Sequence, residues 1–299
     1  MNRRSIPSFA MSEVGRESLR QEGIVVTTLE ESLSHDPARL HPHYHDFFQV
    51  MLLRGRGAVM HDFRDFAVSG ETLLFLAPGQ VHTIRPRKGF GATIVSFTQE
   101  FFDHTAPPPS ALLDLPVFFE PGTAPILRIP KRDPHRIAEV FPEMQREFTA
   151  AESGAADVLR AWLRILFARA MRLHALREPE QVVDARTRLV REFHLAVERS
   201  FRQRRTLADY ARDLGVTADH LSEIVHERTG RSAGQVIRQR RLLDAKRLLS
   251  HSDLDVAEVG YQTGFKDPSY FGRFFRRETG RTPAEFRAEI REKYHRKPD

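Results

Sequence analysis

The sequence has no cysteine, one tryptophan and five tyrosines among 299 residues. Without cysteine, disulfide bonds, thiolate nucleophiles and zinc or iron–sulfur sites built on cysteine are excluded. No apolar run approaches the ~18 residues of a membrane-spanning helix, and no apolar segment of a secretory signal follows the basic N-terminus. These absences predict a cytoplasmic protein without a membrane partner, which begins with a loose arm over residues 1–20.

Positive charge is concentrated in the last part of the chain. From Gln181 to Asp299 there are 25 Lys and Arg against 18 Asp and Glu, whereas the first 180 residues carry a net charge of −1. The length leaves room for two domains, each with its own hydrophobic core. A basic domain joined to a nearly neutral one favours a polyanion as partner of the basic part. A solvated basic surface without a partner is the alternative.

The basic part contains an internal repeat. Residues 207–216 return 49 positions later as 256–265, and Thr229-Gly230-Arg231-Ser232 returns 50 positions later as Thr279-Gly280-Arg281-Thr282. A repeat of this length fits a helix-turn-helix followed by another helix. We therefore predict two such motifs, at about 206–229 and 255–279. A plain helical hairpin is the alternative for either copy taken alone.

Side chains that cap helices mark where the helices of this part begin. The predicted N-caps are Thr206, Thr217, Ser232, Asp255, Asp267 and Thr282. Gly215 and Gly264 stand between the helices of each pair, where a tight turn favours a left-handed residue. In each second helix the apolar residues recur at i, i+3 and i+4 and therefore face inward, which leaves the opposite face for a partner.

A specific motif fills the second copy. It runs Gly260-Tyr261-Gln262-Thr263-Gly264-Phe265-Lys266-Asp267-Pro268-Ser269-Tyr270-Phe271, continues with Arg273-Phe274-Phe275-Arg276-Arg277, and ends with Gly280-Arg281-Thr282-Pro283 and Phe286-Arg287. This motif resembles the signature of AraC/XylS-type transcription regulators, and the resemblance extends from Asp184 to Ile290. It implies a regulator of transcription, with activation as the expected output, that binds double-stranded promoter DNA and RNA polymerase. It implies neither an enzyme nor a cofactor.

The resemblance also implies which residues meet the DNA. Base edges would be read near the start and middle of each second helix, by Asp219, Ser222 and Glu223 in the first copy and by Pro268, Ser269, Gly272 and Arg273 in the second. Arginine can bind guanine O6 and N7 with two hydrogen bonds, so Arg273 is the strongest candidate. Glu223 either accepts from cytosine N4 or forms an ion pair with a nearby arginine. Phosphate contacts are expected from Lys266, Arg276 and Arg281.

The N-terminal part predicts short β-strands, at about 47–53, 57–60, 72–76 and 92–97, separated by glycine and proline. Such spacing is typical of a small antiparallel barrel. The predicted fold class is therefore α+β, with a cupin-like antiparallel β-barrel over residues 21–132, a helical segment over 133–178, and an all-α double helix-turn-helix domain over 179–299.

Two short segments in the predicted barrel resemble the halves of a cupin motif, namely His43-Tyr44-His45 with Gln49, and Pro78-Gly79-Gln80-Val81-His82. Metal cupins have Glu where this chain has Gln49, a neutral and poor ligand, so we predict no metal. Three imidazoles could still hold zinc or iron. A cupin-type metal-dependent dioxygenase fused to a DNA-binding domain is therefore the alternative function, and a filled barrel without ligand is a further one.

This region looks closest to the branch of the family that responds to p-hydroxybenzoate and related aromatic acids. A small-molecule effector, an aromatic carboxylate, would lie among residues that strand alternation and the cupin motif bring together. The apolar members would form walls, and an imidazole or arginine would pair with the carboxylate. The predicted pocket residues are His43, His45, Phe47, Gln49, Met51, His82 and Arg85.

The segment between the domains predicts two helices. Asp133-Pro134 opens the first, which Pro142 should kink or break. The second, residues 157–176, has an apolar stripe that Trp162 and Ile165 widen. The stripe either packs against the barrel or joins two chains in a homodimer. A non-specific architectural DNA binder is a further alternative, but it would have no use for the barrel.

Overall fold

The computed structural model describes residues 6–11, 19–103, 118, 124–175, 185–203 and 206–295. The chain divides into two compact units, an N-terminal unit of residues 7–180 and a C-terminal unit of residues 181–299 to which Ile6 also belongs. The N-terminal unit combines strands and helices, and the C-terminal unit is helical. The predicted α+β class is therefore confirmed. Within the described ranges, no helix is long and apolar enough to cross a membrane.

The strands of the N-terminal unit form two main sheets. They are β1 (Ser8–Phe9), β2 (Ile24–Thr28), β3 (Tyr44–His45), β4 (Phe48–Arg54), β5 (Arg56–His61), β6 (Arg64–Ser69), β7 (Thr72–Leu76), β8 (His82–Pro86), β9 (Gly91–Phe97) and β10 (Ile126–Arg128). A five-stranded sheet has the order β10-β7-β4-β9-β2, and a three-stranded sheet has the order β6-β5-β8. The remaining pair, β1 and β3, is parallel.

The central strand β4 separates two hydrophobic cores, because alternate side chains leave opposite faces of a strand. Val50 and Leu52 pack in a core that includes the helices of this unit. Met51 and Leu53 pack in a second core, with Val59 and Val68 of the three-stranded sheet. The face of the five-stranded sheet toward the three-stranded sheet is therefore the one that can hold a ligand between sheets.

Four helices of the N-terminal unit lie in the described ranges: α1 (Leu29–His35), α2 (Gln99–Asp103), α3 (Val140–Ala150) and α4 (Ala155–Ala175). The prediction that Pro142 breaks a helix opened by Asp133 is wrong. Asp133 accepts hydrogen bonds from the N–H groups of His135 and Ile137, and α3 begins only at Val140. Pro142 thus lies in the first turn, where a missing N–H costs no bond within the helix.

Helix α4 packs one face inward. Leu159, Leu163 and Leu166 are buried in the same core as the five-stranded sheet, as the packing alternative predicted. Ile165 departs from the prediction that it widens this stripe, because its side chain is on the exposed side. The helix therefore has an outward apolar residue that the packing of the unit does not explain.

The C-terminal unit contains the two predicted helix pairs. Its helices are α5 (Ala185–Ser200), α6 (Leu207–Asp213), α7 (Ala218–Thr229), α8 (Ala233–His251), α9 (Val256–Gln262), α10 (Pro268–Thr279) and α11 (Pro283–His295). All six predicted N-caps accept a hydrogen bond from the first turn of their helix. Gly215 and Gly264 have φ of 69° and 89°, in the left-handed region expected of the two turns.

Candidate functional site

A cavity of about 40 Å³ lies in the N-terminal unit, with walls from both main sheets. The five-stranded sheet contributes side chains of β2, β4 and β9, and the three-stranded sheet contributes side chains of β8. Segments at β1, β3 and α1 complete the walls. The lining residues are Phe9, Thr27, Leu29, Ser32, Arg39, His43, His45, Phe47, Gln49, Met51, His82, Ile84 and Ile94.

Most of the residues predicted from the sequence meet in this cavity. Its lining includes the six predicted residues other than Arg85. The Arg85 side chain on β8 is 54% exposed and pairs with Asp65 of β6, across the strand β5 that lies between them. Arg85 is outside the lining because its position on β8 is three residues, an odd number, from His82, so the two side chains leave opposite faces.

Backbone pairing brings the histidines together. His43 and His82 form an isolated antiparallel bridge, in which each N–H donates to the other's carbonyl oxygen, at 3.0 and 2.8 Å. Their ring centroids lie 4.2 Å apart, and the centroids of His45 and His82 lie 4.9 Å apart. The ring of His45 also stacks on Phe47 at 4.2 Å, which fixes its plane. Three imidazoles therefore share one wall of the cavity.

Each of the three imidazoles is held by a backbone carbonyl on its Nδ1 side. The Nδ1–carbonyl oxygen distances are 2.9 Å for His43 with His41, 2.7 Å for His45 with Phe47, and 3.1 Å for His82 with Gln80. A carbonyl oxygen only accepts hydrogen bonds, so Nδ1 carries the proton in each ring. Each Nε2 of a neutral ring therefore has a lone pair to offer.

Burial keeps these imidazoles neutral. Desolvation lowers the pKa of His43 to about 4 and the pKa of His45 to about 3, and it lowers the pKa of His82 well below its ordinary value. The positive charge of Arg39 also lowers the pKa of His43 and of His45, and repulsion from His43 lowers the pKa of His45 and of His82. At neutral pH the three rings can accept hydrogen bonds from a ligand but provide no positive charge.

Sequence reasoning missed the cation of the pocket. Arg39 precedes β3 and lines the cavity, where its guanidinium lies 5.0 Å from the centroid of the Phe9 ring. Its Nη1 donates to Ser32 Oγ at 2.9 Å. Neither Arg39 nor Phe9 belongs to a periodic pattern or to the cupin-like motif. Only the tertiary fold places them beside the imidazoles.

The donor set of the pocket does not fit a cupin metal centre. Gln49 stands where metal cupins have a carboxylate, and its Nε2 donates to Ser96 Oγ at 2.9 Å. Within the residues that the structure describes, no three or more His, Cys, Asp or Glu side chains are arranged to hold a metal ion. The pocket instead presents neutral acceptors, apolar walls and one guanidinium.

The second helices of the two repeats, α7 and α10, present the residues predicted to contact DNA. Leu221, Ile224 and Val225 are buried in α7, and three phenylalanines occupy the corresponding inner face of α10. The opposite faces carry the predicted residues, which are exposed or half-buried: Asp219, Ser222 and Glu223 on α7, and Pro268, Ser269, Gly272, Arg273 and Arg276 on α10.

The two outward faces differ in charge. The first copy exposes the carboxylates of Asp219 and Glu223, whereas the second exposes the guanidinium groups of Arg273 and Arg276. None of these four groups is in an ion pair with a described residue, so the ion pair that was the alternative for Glu223 is not observed. All four charges are therefore available to an external partner.

The other two predicted phosphate contacts differ from each other. Lys266 is exposed in the turn before α10, where a cation can reach a phosphate. The guanidinium of Arg281 pairs with Glu289 of α11. Arg231, at the same place in the first copy, donates to Gln239 at 2.9 Å. The repeated contact indicates that Arg281 helps to hold the segment between α10 and α11 against α11.

Sequence reasoning also left out an exposed aromatic residue of the second copy. Tyr270 is 49% exposed in the first turn of α10, and its ring centroid lies 6.1 Å from that of Phe265. It directly follows Ser269 and lies three residues before Arg273. A large aromatic residue outside the inward-facing set of Phe271, Phe274 and Phe275 is the signal that could have identified it.

Comparison with known proteins agrees with both units. A model described as an AraC-like ligand binding domain matches residues 31–157, and a model described as a helix-turn-helix domain matches residues 210–289. The chain is 24% identical to the HTH-type transcriptional activator RhaR of Enterobacter sp. (strain 638), over 82% of this chain and 86% of that protein. It is 26% identical to the arabinose operon regulatory protein of Escherichia coli (strain K12), over 81% and 80%.

Among solved structures, that of ToxT from Vibrio cholerae O395 is similar at a TM-score of 0.42 and 11% identity, over 90% of this chain and 96% of that one. The two full-length relatives are named as an activator and a regulatory protein, not as enzymes. The two domain matches lie on the pocket and on the repeated helix pairs, in the order that the sequence predicts. The chain belongs to the AraC family of DNA-binding transcription regulators, with an N-terminal ligand-binding domain and a C-terminal helix-turn-helix domain.

Proposed function

We propose that this protein is a cytoplasmic, sequence-specific transcription activator whose affinity for promoter DNA is set by a small aromatic acid bound in the N-terminal pocket. The observation that carries the proposal is the convergence of six predicted residues on one cavity, in a unit distinct from the exposed second helices. A cavity in which apolar walls and several convergent polar groups meet suits a small organic ligand. The effector can shift DNA binding only by its difference in affinity for two states of the protein.

The pocket supports an acid as the effector because it has both a cation and apolar walls. Arg39 can pair with a carboxylate, a task that the neutral imidazoles cannot perform and that the outward Arg85 is not placed for. Phe9, Phe47 and Met51 supply apolar and aromatic surface. We therefore assign the carboxylate to the Arg39 side of the pocket.

For DNA recognition we propose that α10 provides most of the affinity and α7 refines the choice of bases. Arg273 would read guanine, and Arg276 and Lys266 would contact phosphates. Asp219 and Glu223 would accept hydrogen bonds from amino groups of cytosine or adenine. Ser222, Pro268, Ser269 and Gly272 would complete the contact surface, and Arg281 would support it through its pair with Glu289.

A homodimer through α4 is supported by the outward face of that helix. Val158 and Ile165 are 41% and 37% exposed, one heptad apart, and the exposed Ala161 and Ala168 lie on the same side. Apolar residues at this spacing are typical of helices that pair. Ile165→Lys should convert dimer to monomer in sedimentation experiments, and Arg164→Lys, on a neighbouring exposed position, should not.

The relatives named as activators support activation as the output. An activator works by contact with RNA polymerase at the promoter, so we propose the polymerase as a further partner. A reporter fused to a selected binding site would rise in cells that express the protein and are supplied with effector. A fall in the reporter under the same conditions would assign repression instead.

The direct test is selection of DNA sites from random sequence by the purified full-length protein, followed by titration of the best site against scrambled DNA. A specific regulator should prefer its site by at least a thousandfold, and it should keep that preference as salt weakens phosphate contacts. Equal affinity for all sequences would identify a non-specific binder and overturn the proposal.

A further inference from the structure

The two helix-turn-helix copies of the C-terminal unit share helix α8. Val236 and Ile237, in its first half, pack in the core of the first copy together with the buried residues of α7. Near its other end, the carbonyl oxygen of Leu249 accepts a hydrogen bond from Nε of Arg287 in α11, at 3.2 Å. Because one helix carries both copies, the angle between α7 and α10 depends on the other contacts that join the two copies.

One short segment touches both copies. Residues Phe201–Gln203 form a 3-10 helix directly after α5, which we call the junction segment. The Phe201 side chain lies in the core of the first copy. The carbonyl oxygen of Arg202 packs on the turn of the second copy, where a Cβ on Gly264 would lie only 3.1 Å from it. The junction segment is therefore in contact with both motifs.

Charged side chains join the junction segment and the end of α5 to α8. The Arg202 guanidinium donates to both carboxylate oxygens of Asp244, at 2.9 and 2.8 Å. The Asp244 side chain is 4% exposed, and its Oδ1 also lies 3.9 Å from Nη1 of Arg240. Arg240 in turn donates twice to Glu198 of α5, at 2.6 and 2.8 Å. Two arginine–carboxylate pairs, each with two hydrogen bonds, thus hold this junction together.

The pair of Arg202 and Asp244 is not a repeated part of the motif. The residue 49 positions after Arg202 is His251, so the second copy has no arginine at the corresponding place. A buried ion pair contributes little net stability, because desolvation of its charges offsets their attraction, whereas separation of its partners leaves a buried charge unpaired. Both points favour a role in the relative placement of the two copies over a role in the folding of either.

We propose that Arg202 and Asp244 are positioning residues that hold α7 and α10 at one angle, and so restrict the protein to DNA sites with one spacing between the bases that the two helices read. The inference rests on the proposed reading of bases by both helices. One additional base pair between the two sets of bases shifts one set by about 3.4 Å along the DNA and rotates it by roughly 35°. A rigid pair of motifs cannot follow this change, whereas a loosely joined pair can.

The test measures how the full-length protein tolerates a change of spacing. The positions at which Arg273→Ala and Glu223→Gln lose discrimination mark the bases that α10 and α7 read. Fluorescence anisotropy then gives the affinity for the selected site and for the same site with one base pair inserted between the two sets. The unaltered protein should bind the inserted site at least about tenfold more weakly, because one helix then meets the wrong base pairs.

Two variants break the ion pair with opposite changes of net charge. Arg202→Gln removes a positive charge and Asp244→Asn removes a negative one, yet both should reduce the ratio of the two affinities by about threefold or more. Their affinities for scrambled DNA should change in opposite directions, so a change of charge cannot explain a shared loss of spacing preference. Arg212→Gln is the matched control, because Arg212 is exposed and pairs with Asp209 inside α6; it should keep the ratio.

The other outcomes contradict the inference in distinguishable ways. A steep spacing preference that both variants retain would overturn the positioning role and leave base reading by two helices in place. Absence of a spacing preference in the unaltered protein would overturn both proposals. A lower ratio in Arg202→Gln alone would show that Arg202 acts without Asp244. Loss of a phosphate contact lowers both affinities equally, so an unchanged ratio in Arg202→Gln overturns the inference even if Asp244→Asn does not fold.

Discussion

The two helix-turn-helix copies end their second helices in the same way. Thr229 and Thr279 each donate to a carbonyl oxygen one turn back, at 2.7 Å. Each then accepts from the N–H of the arginine two residues later, at 3.2 Å. Against this shared frame, the outward charges are opposite, acidic on α7 and basic on α10. Two copies of the same backbone motif can therefore have different roles because their exposed side chains differ.

The difference indicates how the unit would bind a polyanion. Exposed arginines on α10 lower the free energy of any DNA complex, whereas carboxylates on α7 raise it unless they meet base amino groups. We infer that α10 anchors the complex and that α7 contributes discrimination at a cost in affinity. Substitutions in the two helices should then have effects of different kind, in the order of size that follows.

Arg273→Ala should have the largest effect. Loss of a two-bond contact with guanine should weaken binding to the selected site by about 1 to 3 kcal/mol, while binding to scrambled DNA changes little. Titrations of both DNAs by fluorescence anisotropy measure the two losses. Equal loss on both would make Arg273 a phosphate contact and remove its role in base reading.

Arg276→Ala should weaken binding to every DNA by a similar factor. A lost phosphate contact should also reduce the slope of log affinity against log salt concentration by about 0.9. The salt series for this variant and for the unaltered protein measures that slope. Arg277→Ala is the matched control, because Arg277 already pairs with Glu278; an equal change of slope in both would contradict the assignment.

Gly272→Ala should separate folding from binding. An added Cβ would meet no atom within 4 Å, and replacement of glycine inside a helix favours folding by about 0.5 to 1 kcal/mol. Thermal unfolding should therefore show a higher Tm. If DNA approaches this face of α10 as closely as we propose, affinity should fall at the same time. Unchanged affinity would place the DNA farther from Gly272.

Glu223→Gln should have the smallest effect and the opposite sign. Removal of one exposed negative charge should raise affinity for scrambled DNA about twofold, the scale of a solvent-screened charge interaction. Discrimination among selected sites at one base position should fall, since the amide can donate as well as accept. Lower affinity for scrambled DNA would show that α7 does not lie near phosphates.

Local chemistry explains what could be predicted from the sequence. Thr206 caps α6 through contacts with a residue three positions away, so no tertiary information is needed to place that helix start. The same holds for Ser232 and Asp255. Alternation along one strand likewise anticipated that Gln49 and Met51 share a face, and both line the cavity.

The sequence-based predictions were wrong or incomplete where the position of a residue depends on packing between segments far apart in the chain. Arg39 and Phe9 reach the cavity through the packing of β1 and the turn after α1, which no periodic pattern encodes. Arg85 has the charge needed to bind an acid, but its side chain leaves the opposite face of the strand from His82. Pro142 was expected to break a helix because the true helix start, Val140, two residues before the proline, could not be identified from Asp133 alone.

The most direct test of the central claim is a linkage measurement, in which effector affinity is measured on the free protein and on its complex with the selected DNA. If the pocket controls DNA binding, the effector should change DNA affinity by some factor, typically 5- to 150-fold, and DNA should change effector affinity by the same factor. Tight binding of both ligands with a factor of one in each direction would contradict effector control of DNA binding.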